Sequence, residues 1–124
     1  MPYKMPITVV LADDSKIMLA AMRRLLAQES SIKILGEASS FAATIQLIGD
    51  LKPEVLILDL HLPEKRNFPP GLVKSQLTTV PHTFAISFSN DTEAKTLAQS
   101  YGAEALLDKM KLYNEMIPSI LTRH

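Results

Sequence analysis

The sequence lacks cysteine and tryptophan, contains only four glycines, and has no excess of either charge. Without cysteine there is no disulfide, no thiolate nucleophile and no zinc–thiolate site. The 13 Lys and Arg residues balance the 13 Asp and Glu residues, so the formal net charge is zero. A chain without a basic half is poorly suited to binding a phosphate backbone, and we expect no direct contact with nucleic acid.

Long hydrophobic runs are also missing. No apolar stretch approaches the ~18 residues that a membrane span needs. The first residues, Met1 to Pro6, lack the apolar core of a signal peptide. We therefore expect a soluble cytoplasmic protein that does not contact a membrane. The length of 124 residues, 47% of them hydrophobic, suits one domain with one core.

Short apolar runs alternate with amphipathic stretches along the chain. Five runs are short and mostly β-branched or aliphatic, as in buried parallel strands, and lie at 7–12, 32–38, 55–58, 82–87 and 105–107. Helices are expected after each strand, at about 15–29, 39–50, 72–77, 91–101 and 110–123. Five strand–helix units predict an open, doubly wound α/β sheet with helices on both faces.

Proline and glycine mark the irregular parts of this pattern. The segment from His61 to Gly71 contains three prolines, and we interpret it as a long mobile loop. Pro118 falls inside the last helix, where it removes a backbone hydrogen bond and should kink or shorten that helix. Gly102 is expected to end the fourth helix, because glycine readily adopts the left-handed conformation found there.

Polar residues follow the strands at the edge where open α/β sheets bind their ligands. Asp13 and Asp14 follow the first strand, Asp59 the third, Ser87 the fourth and Lys109 the fifth. These side chains should converge, because parallel strands end at a common edge. Crowded carboxylates repel one another unless a cation lies between them, and Mg²⁺ is the hard ion best suited to oxygen ligands. Metal, carboxylate, ammonium and hydroxyl together predict phosphoryl-transfer chemistry.

Four segments give the chain a resemblance to a known family, the receiver domains of two-component response regulators. Residues 9–15 (VVLADDS) resemble the family's acidic pair, and residues 55–63 (VLILDLHLP) resemble its phosphoacceptor strand. Residues 102–109 (GAEALLDK) resemble the segment that leads to its lysine, and the separation of Ser87 from Lys109 also suits the family. Residues 34–39 (ILGEAS) resemble receivers of LuxR/NarL-type transcriptional regulators.

The resemblance, which covers residues 7–122, implies a flavodoxin-like fold with strand order 2-1-3-4-5. It also implies that Asp59 accepts a phosphoryl group from a histidine kinase, and that Ser87 and Lys109 bind the oxygens of that group. It further implies a Mg²⁺ site formed by four groups: the carboxylates of Asp13, Asp14 and Asp59 and the backbone carbonyl of His61.

By the same resemblance the protein would be a signalling module. It would catalyse only the phosphorylation and hydrolysis of its own aspartate, and phosphorylation would alter homodimer formation or output-domain contacts to regulate transcription. Residues 1–124 are expected to form one receiver domain. A helix-turn-helix output domain either lies outside them or is absent from a stand-alone receiver. The sequence contains no Gly-x-x-x-x-Gly-Lys, His-Glu-x-x-His or Gly-x-Ser-x-Gly motif, which disfavours a metabolic enzyme.

Several positions depart from the family pattern. Phe88 stands where the family has a small residue beside the phosphoryl group, and Leu106 stands at the position of its switch aromatic. His61 and Ser89 occupy positions at which receivers tune dephosphorylation, and His61 would be placed to position or shield a water molecule. These departures, with a loop about four residues longer than usual, leave open a second function. The chain would then be a degenerate receiver, an interaction module that is not phosphorylated.

Overall fold

The computed structural model of the protein describes residues 5–62 and 69–123. Five parallel strands form one sheet: β1 (Ile7–Ala12), β2 (Ile32–Ala38), β3 (Val55–Asp59), β4 (His82–Ser87) and β5 (Ala105–Asp108). Their order across the sheet is β2-β1-β3-β4-β5, so the predicted doubly wound, flavodoxin-like fold is confirmed. The order reverses between β1 and β3, which places the ligand-binding crevice at the carboxyl ends of these two strands.

In the described residues, four helices connect successive strands, a fifth follows β5, and together they cover both faces of the sheet: α1 (Lys16–Leu26), α2 (Phe41–Leu51), α3 (Pro70–Leu77), α4 (Thr92–Ser100) and α5 (Leu112–Leu121). Apolar side chains of α1 and α5 pack on one face of the sheet, and those of α2, α3 and α4 pack on the other. Strand β3 is buried along its whole length, because it lies centrally and is covered on both faces. Within the described parts of the chain, no helix is long and apolar enough to cross a membrane.

Short polar side chains fix where three of the helices begin. The side-chain oxygens of Ser15, Ser40 and Asp91 each accept a hydrogen bond from a first-turn backbone N–H, at 3.1, 3.1 and 2.8 Å. Such caps satisfy donors that have no partner within the helix. Gly102 follows α4 with φ of 76°, which confirms it as the residue that ends this helix.

The helix boundaries differ from the sequence expectations in identifiable ways. Helix α1 ends at Leu26, and two tighter turn bonds continue the chain to Glu29. Helix α3 begins at Pro70, since proline suits the first turn of a helix. Before α5 the chain forms a 3-10 turn, Lys109–Lys111, because the Asp108 carboxylate accepts from the Met110 N–H at 2.8 Å.

The two predictions that concern proline have different outcomes. Helix α5 continues through Pro118 and ends at Leu121, where the Thr122 N–H donates to the Pro118 carbonyl at 3.0 Å. The helix is therefore shorter than expected but is not interrupted at the proline. Most of the predicted loop, residues 63–68, lies outside the described residues.

Two methionines near the end of the chain test how α5 packs. Met116 in α5 has no exposed surface, whereas Met110 in the preceding turn is 69% exposed. We expect Met116→Ala to lower the free energy of unfolding by about 2–5 kcal/mol, because it leaves a cavity beneath the helix. The matched variant Met110→Ala should change it by less than about 0.5 kcal/mol. Urea unfolding followed by circular dichroism measures both, and equal losses would contradict this packing of α5.

Candidate functional site

The centre of the site is a pair of buried carboxylates at the ends of two neighbouring strands. In the register of β1 and β3, Ala12 lies opposite Leu58, so Asp13, just after β1, and Asp59, the last residue of β3, lie side by side. Asp13 has no exposed surface and Asp59 is only 2% exposed. Two charged groups this deeply buried require compensation by opposite charge or hydrogen bonds.

Lys109 supplies that opposite charge from the end of β5, an edge strand of the sheet. It follows β5, and its extended side chain brings Nζ to 2.8 Å from Asp13 Oδ2 and 3.3 Å from Asp59 Oδ1. The lysine side chain is only 7% exposed, so all three charges are shielded from bulk water. One ammonium between two carboxylates leaves the group with one negative charge in excess.

Backbone N–H groups donate a hydrogen bond to one oxygen of each carboxylate. The Ser15 N–H donates to Asp13 Oδ1 at 2.9 Å, and the His61 N–H donates to Asp59 Oδ1 at 3.0 Å. Asp13 Oδ2 is buried and accepts no hydrogen bond of good geometry, although Lys109 lies within ion-pair distance of it. This oxygen therefore retains capacity to bind a cation.

The excess negative charge has a consequence for protonation. Burial raises the pKa of Asp59 above its ordinary value, and the negative charge of Asp13 raises it further. The His61 N–H and the Lys109 ammonium oppose this rise but do not cancel it. A bound cation would oppose the rise, because it favours the ionised carboxylate.

Asp14 completes a cluster of three carboxylates. Oxygens of Asp13, Asp14 and Asp59 all lie within 4.8 Å of one another, and Asp14 is exposed where the other two are buried. The donor set consists of hard carboxylate oxygens, one of which lacks a hydrogen bond. Hard divalent cations such as Mg²⁺ prefer such ligands and retain water on their open side. The residues present therefore fit the ion that the sequence predicted.

Ser87 and Phe88 lie at the end of β4, the strand beside β3. Ser87 is buried, and its Oγ accepts a hydrogen bond from the Ser89 N–H at 3.0 Å. The hydroxyl proton of Ser87 thus remains available to donate to a ligand. Phe88 is 63% exposed, and the centre of its ring lies 5.1 Å from Lys109 Nζ. The large ring therefore lies beside the lysine at the surface of the site.

The remaining predicted positions surround the site. The backbone of His61 contacts Asp59, while its side chain is exposed. Leu106 is half-buried in β5 and packs against the core shared with α2, α3 and α4. Asp91 is a neighbour that sequence reasoning treated only as the start of a helix. The Ala94 N–H is the main cause that lowers the pKa of Asp91, and the hydrogen bond with the Ser89 side chain lowers it further.

Known proteins resemble this chain in sequence. It is 30% identical over 105 residues to protein-glutamate methylesterase/protein-glutamine glutaminase 2 of Anaeromyxobacter dehalogenans. It is 27% identical over 104 residues to the nitrate/nitrite response regulator NarL of Escherichia coli. Both matches cover 84% of this chain but only 30% and 48% of the respective relatives, so the chain spans less than half of either. No protein-family model matches the chain.

Solved structures resemble it as well. The receiver domain of the putative response regulator NarL from Mycobacterium tuberculosis superposes with a TM-score of 0.82 at 25% identity, covering 95% of both chains. The non-phosphorylated receiver domain of RcsB from Escherichia coli gives 0.82 at 20% identity, covering 94% of this chain and 91% of that one. In fold and in sequence the chain is similar to receiver domains of the response-regulator type. Its named relatives include NarL, as the resemblance to LuxR/NarL-type receivers predicted.

The buried charge of Asp59 predicts a pH-dependent effect on stability. In the folded state its pKa is raised above the ordinary value of 3.8. Its ionisation therefore costs stability at pH values above the raised pKa, and the cost disappears as the pH falls to the ordinary value. Asp59→Asn keeps the acceptor for the His61 N–H and removes the charge. We expect it to raise the urea midpoint at neutral pH in a chelator.

That gain should shrink as the pH is lowered through the raised pKa of Asp59. Asp50→Asn is the matched control, because Asp50 is exposed at the end of α2, and it should leave the midpoint unchanged. Urea titrations of the three proteins across the acidic range provide the measurement. A gain in Asp59→Asn that is independent of pH, or equal to that of Asp50→Asn, would contradict the interpretation.

Proposed function

We propose that the chain is the phosphoacceptor receiver domain of a response regulator, and that Asp59 accepts a phosphoryl group from a histidine kinase. The observation that carries this proposal is the position of Asp59. It is buried at the end of the central strand, with the Lys109 ammonium 3.3 Å from Oδ1 and the carboxylate of Asp13 beside it. A carboxylate nucleophile next to a cation and a cation-binding cluster suits phosphoryl transfer.

In the proposed reaction an Asp59 carboxylate oxygen attacks the phosphorus of a phosphohistidine. A new O–P bond forms, and the P–N bond breaks with its electron pair going to the imidazole nitrogen. The Lys109 ammonium has three donors and turns one of them to an oxygen of the transferred group. The Ser87 hydroxyl, whose proton is uncommitted, donates to another oxygen. Both contacts stabilise charge on the phosphoryl oxygens during transfer.

The carboxylates of Asp13, Asp14 and Asp59, with the backbone carbonyl of His61, would hold Mg²⁺. When bound, the ion supplies positive charge to phosphoryl oxygens and to the crowded carboxylates. The hydrogen bond from Ser15 orients Asp13 so that its other oxygen is left for the ion. The raised pKa of Asp59 would fall on cation binding, which keeps the nucleophile ionised.

The relatives support a role in transcription. One is named a nitrate/nitrite response regulator, another is a transcriptional regulatory protein of Bacillus subtilis, and RcsB has been solved as a complex with DNA. We propose that phosphorylation of this chain alters homodimer formation or contacts with an output domain, and that it acts in the cytoplasm. The receiver would catalyse only its own phosphorylation and hydrolysis, because the matched methylesterases share less than a third of their length with it.

Phosphorylation by a small donor tests the acceptor directly. Wild-type protein incubated with acetyl phosphate and Mg²⁺ should gain the mass of one phosphoryl group, measured by intact-protein mass spectrometry. Asp59→Asn should gain none, and the exposed control Asp50→Asn should gain as much as the wild type. A chelator should abolish the gain. Phosphorylation that persists in Asp59→Asn would contradict the assignment of the acceptor.

A second candidate function, the degenerate receiver, has specific support in the ring of Phe88 beside Lys109 and in the aliphatic Leu106 at the switch position. In that case the chain keeps the fold and binds a protein partner without being phosphorylated. Absence of any mass gain in the wild type, with Mg²⁺ present and the protein folded, favours this function over the first.

Metal binding gives an independent prediction. Titration calorimetry in chelator-free buffer should detect Mg²⁺ binding to the wild type. Asp13→Asn should weaken it about tenfold or more, because it removes a ligand charge but keeps the acceptor for the Ser15 N–H. Asp50→Asn should bind as the wild type does. Equal affinities for all three proteins would show that the carboxylate cluster does not hold the ion.

A further inference from the structure

We propose that Phe88 is a positioning residue whose ring covers the Lys109 ammonium, holds it beside Asp59 and shields the phosphoryl group from water. The proposal deepens the phosphoacceptor function and rests on it. Its starting observation is that the ring of Phe88, a residue 63% exposed, lies beside the lysine ammonium that contacts both buried carboxylates. Burial in the core does not explain this position, because Phe88 is an exposed residue.

Hydrogen bonds on both sides of Phe88 hold its backbone in place. Before it, Ser87 is buried at the end of β4, and its Oγ accepts from the Ser89 N–H at 3.0 Å, closing a tight turn around Phe88. After it, Asp91 caps α4 by accepting from the Ala94 N–H at 2.8 Å. The chain at Phe88 is thus held between a strand and a capped helix.

Lys109 is surrounded by complementary partners. Asp13 lies 2.8 Å from Nζ and Asp59 lies 3.3 Å from it, while the Phe88 ring centre lies at 5.1 Å. A cation within about 6 Å of an aromatic ring centre is attracted to the negative face of the ring. The lysine side chain is only 7% exposed, although it ends at the surface edge of the sheet. The ring helps to account for that low exposure and restricts the ammonium to the carboxylates.

This arrangement affects the lifetime of the phosphorylated state. Hydrolysis requires a water oxygen to attack the phosphorus, with cleavage of the P–O bond to Asp59, return of its electron pair to the carboxylate and release of inorganic phosphate. Ser87 and Lys109 are the residues proposed to hold the phosphoryl oxygens. Ser87 directly precedes Phe88 in the chain, and Lys109 Nζ lies 5.1 Å from the centre of the Phe88 ring. The ring therefore lies beside that group and reduces the access of water to it.

The first test measures how accessible the Lys109 ammonium is to a reagent in the unphosphorylated protein. The folded chain is acetylated briefly with an N-hydroxysuccinimide ester in a chelator, and the labelling rate of each lysine is determined by peptide mass spectrometry. Lys111, which is exposed, serves as the internal reference. In Phe88→Ala the rate at Lys109 relative to Lys111 should rise about 3- to 10-fold, through loss of cover and of the cation–ring contact.

Two further variants distinguish the effect of an aromatic ring at position 88 from the effect of apolar volume alone. Phe88→Tyr keeps the aromatic face and should retain the wild-type ratio within about twofold, whereas Phe88→Leu keeps apolar volume alone and should behave like Phe88→Ala. Leu72→Ala, at an exposed leucine of α3, controls for general loss of surface apolar area and should have no effect. An unchanged ratio in Phe88→Ala, or a wild-type ratio in Phe88→Leu, overturns the proposal. Urea midpoints verify that the variants remain folded.

The second test measures the phosphoryl group itself. After phosphorylation by acetyl phosphate and removal of the donor, Phe88→Ala should lose its phosphoryl group about 3- to 10-fold faster than the wild type. Phe88→Tyr should match the wild type. An unchanged lifetime in Phe88→Ala overturns the shielding role. If the wild type is never phosphorylated, the proposed function fails instead, and the labelling ratio still decides whether Phe88 covers Lys109.

Discussion

The contact of one buried ammonium with two buried carboxylates is the constraint on which the site depends. Lys109 joins Asp13 and Asp59, and so ties the segment after β5 to the ends of the two central strands. Neither carboxylate could be buried to this extent without it, because an uncompensated buried charge costs several kcal/mol. The compensation is incomplete, since one positive charge faces two negative charges. The other properties of the site follow from this imbalance.

Three separate observations accompany this imbalance. The pKa of Asp59 is raised, Asp13 Oδ2 lacks a hydrogen bond, and a third carboxylate stands at the open side of the pair. All three indicate a site that gains stability from an additional cation. A phosphoryl group on Asp59 would bring further negative charge and would draw the same ammonium toward itself. In the proposed function, the phosphoryl group therefore competes with the carboxylates of Asp13 and Asp59 for the Lys109 ammonium.

The sheet and most of the site could be predicted from the sequence because they depend on local patterns. Strand β3 is a continuous apolar run, and a parallel sheet places Asp13 and Asp59 at one edge whatever the details of packing. The start of the last helix was predicted less well, because the Asp108 carboxylate turns the chain into a 3-10 turn first. The contact of Phe88 with Lys109 depends on how two side chains from different strands reach across space, and no spacing in the sequence encodes that.

The distribution of exposure around the site indicates the side from which a donor approaches. Asp13, Asp59 and Ser87 are buried, and the Lys109 side chain is nearly so beneath the Phe88 ring. Asp14 is the exposed member of the carboxylate cluster. In the proposed function, a donor would therefore approach Asp59 on the side of Asp14 and not on the side of Lys109. The zero net charge of the chain conceals this arrangement, in which an exposed carboxylate stands before two buried carboxylates and a shielded lysine.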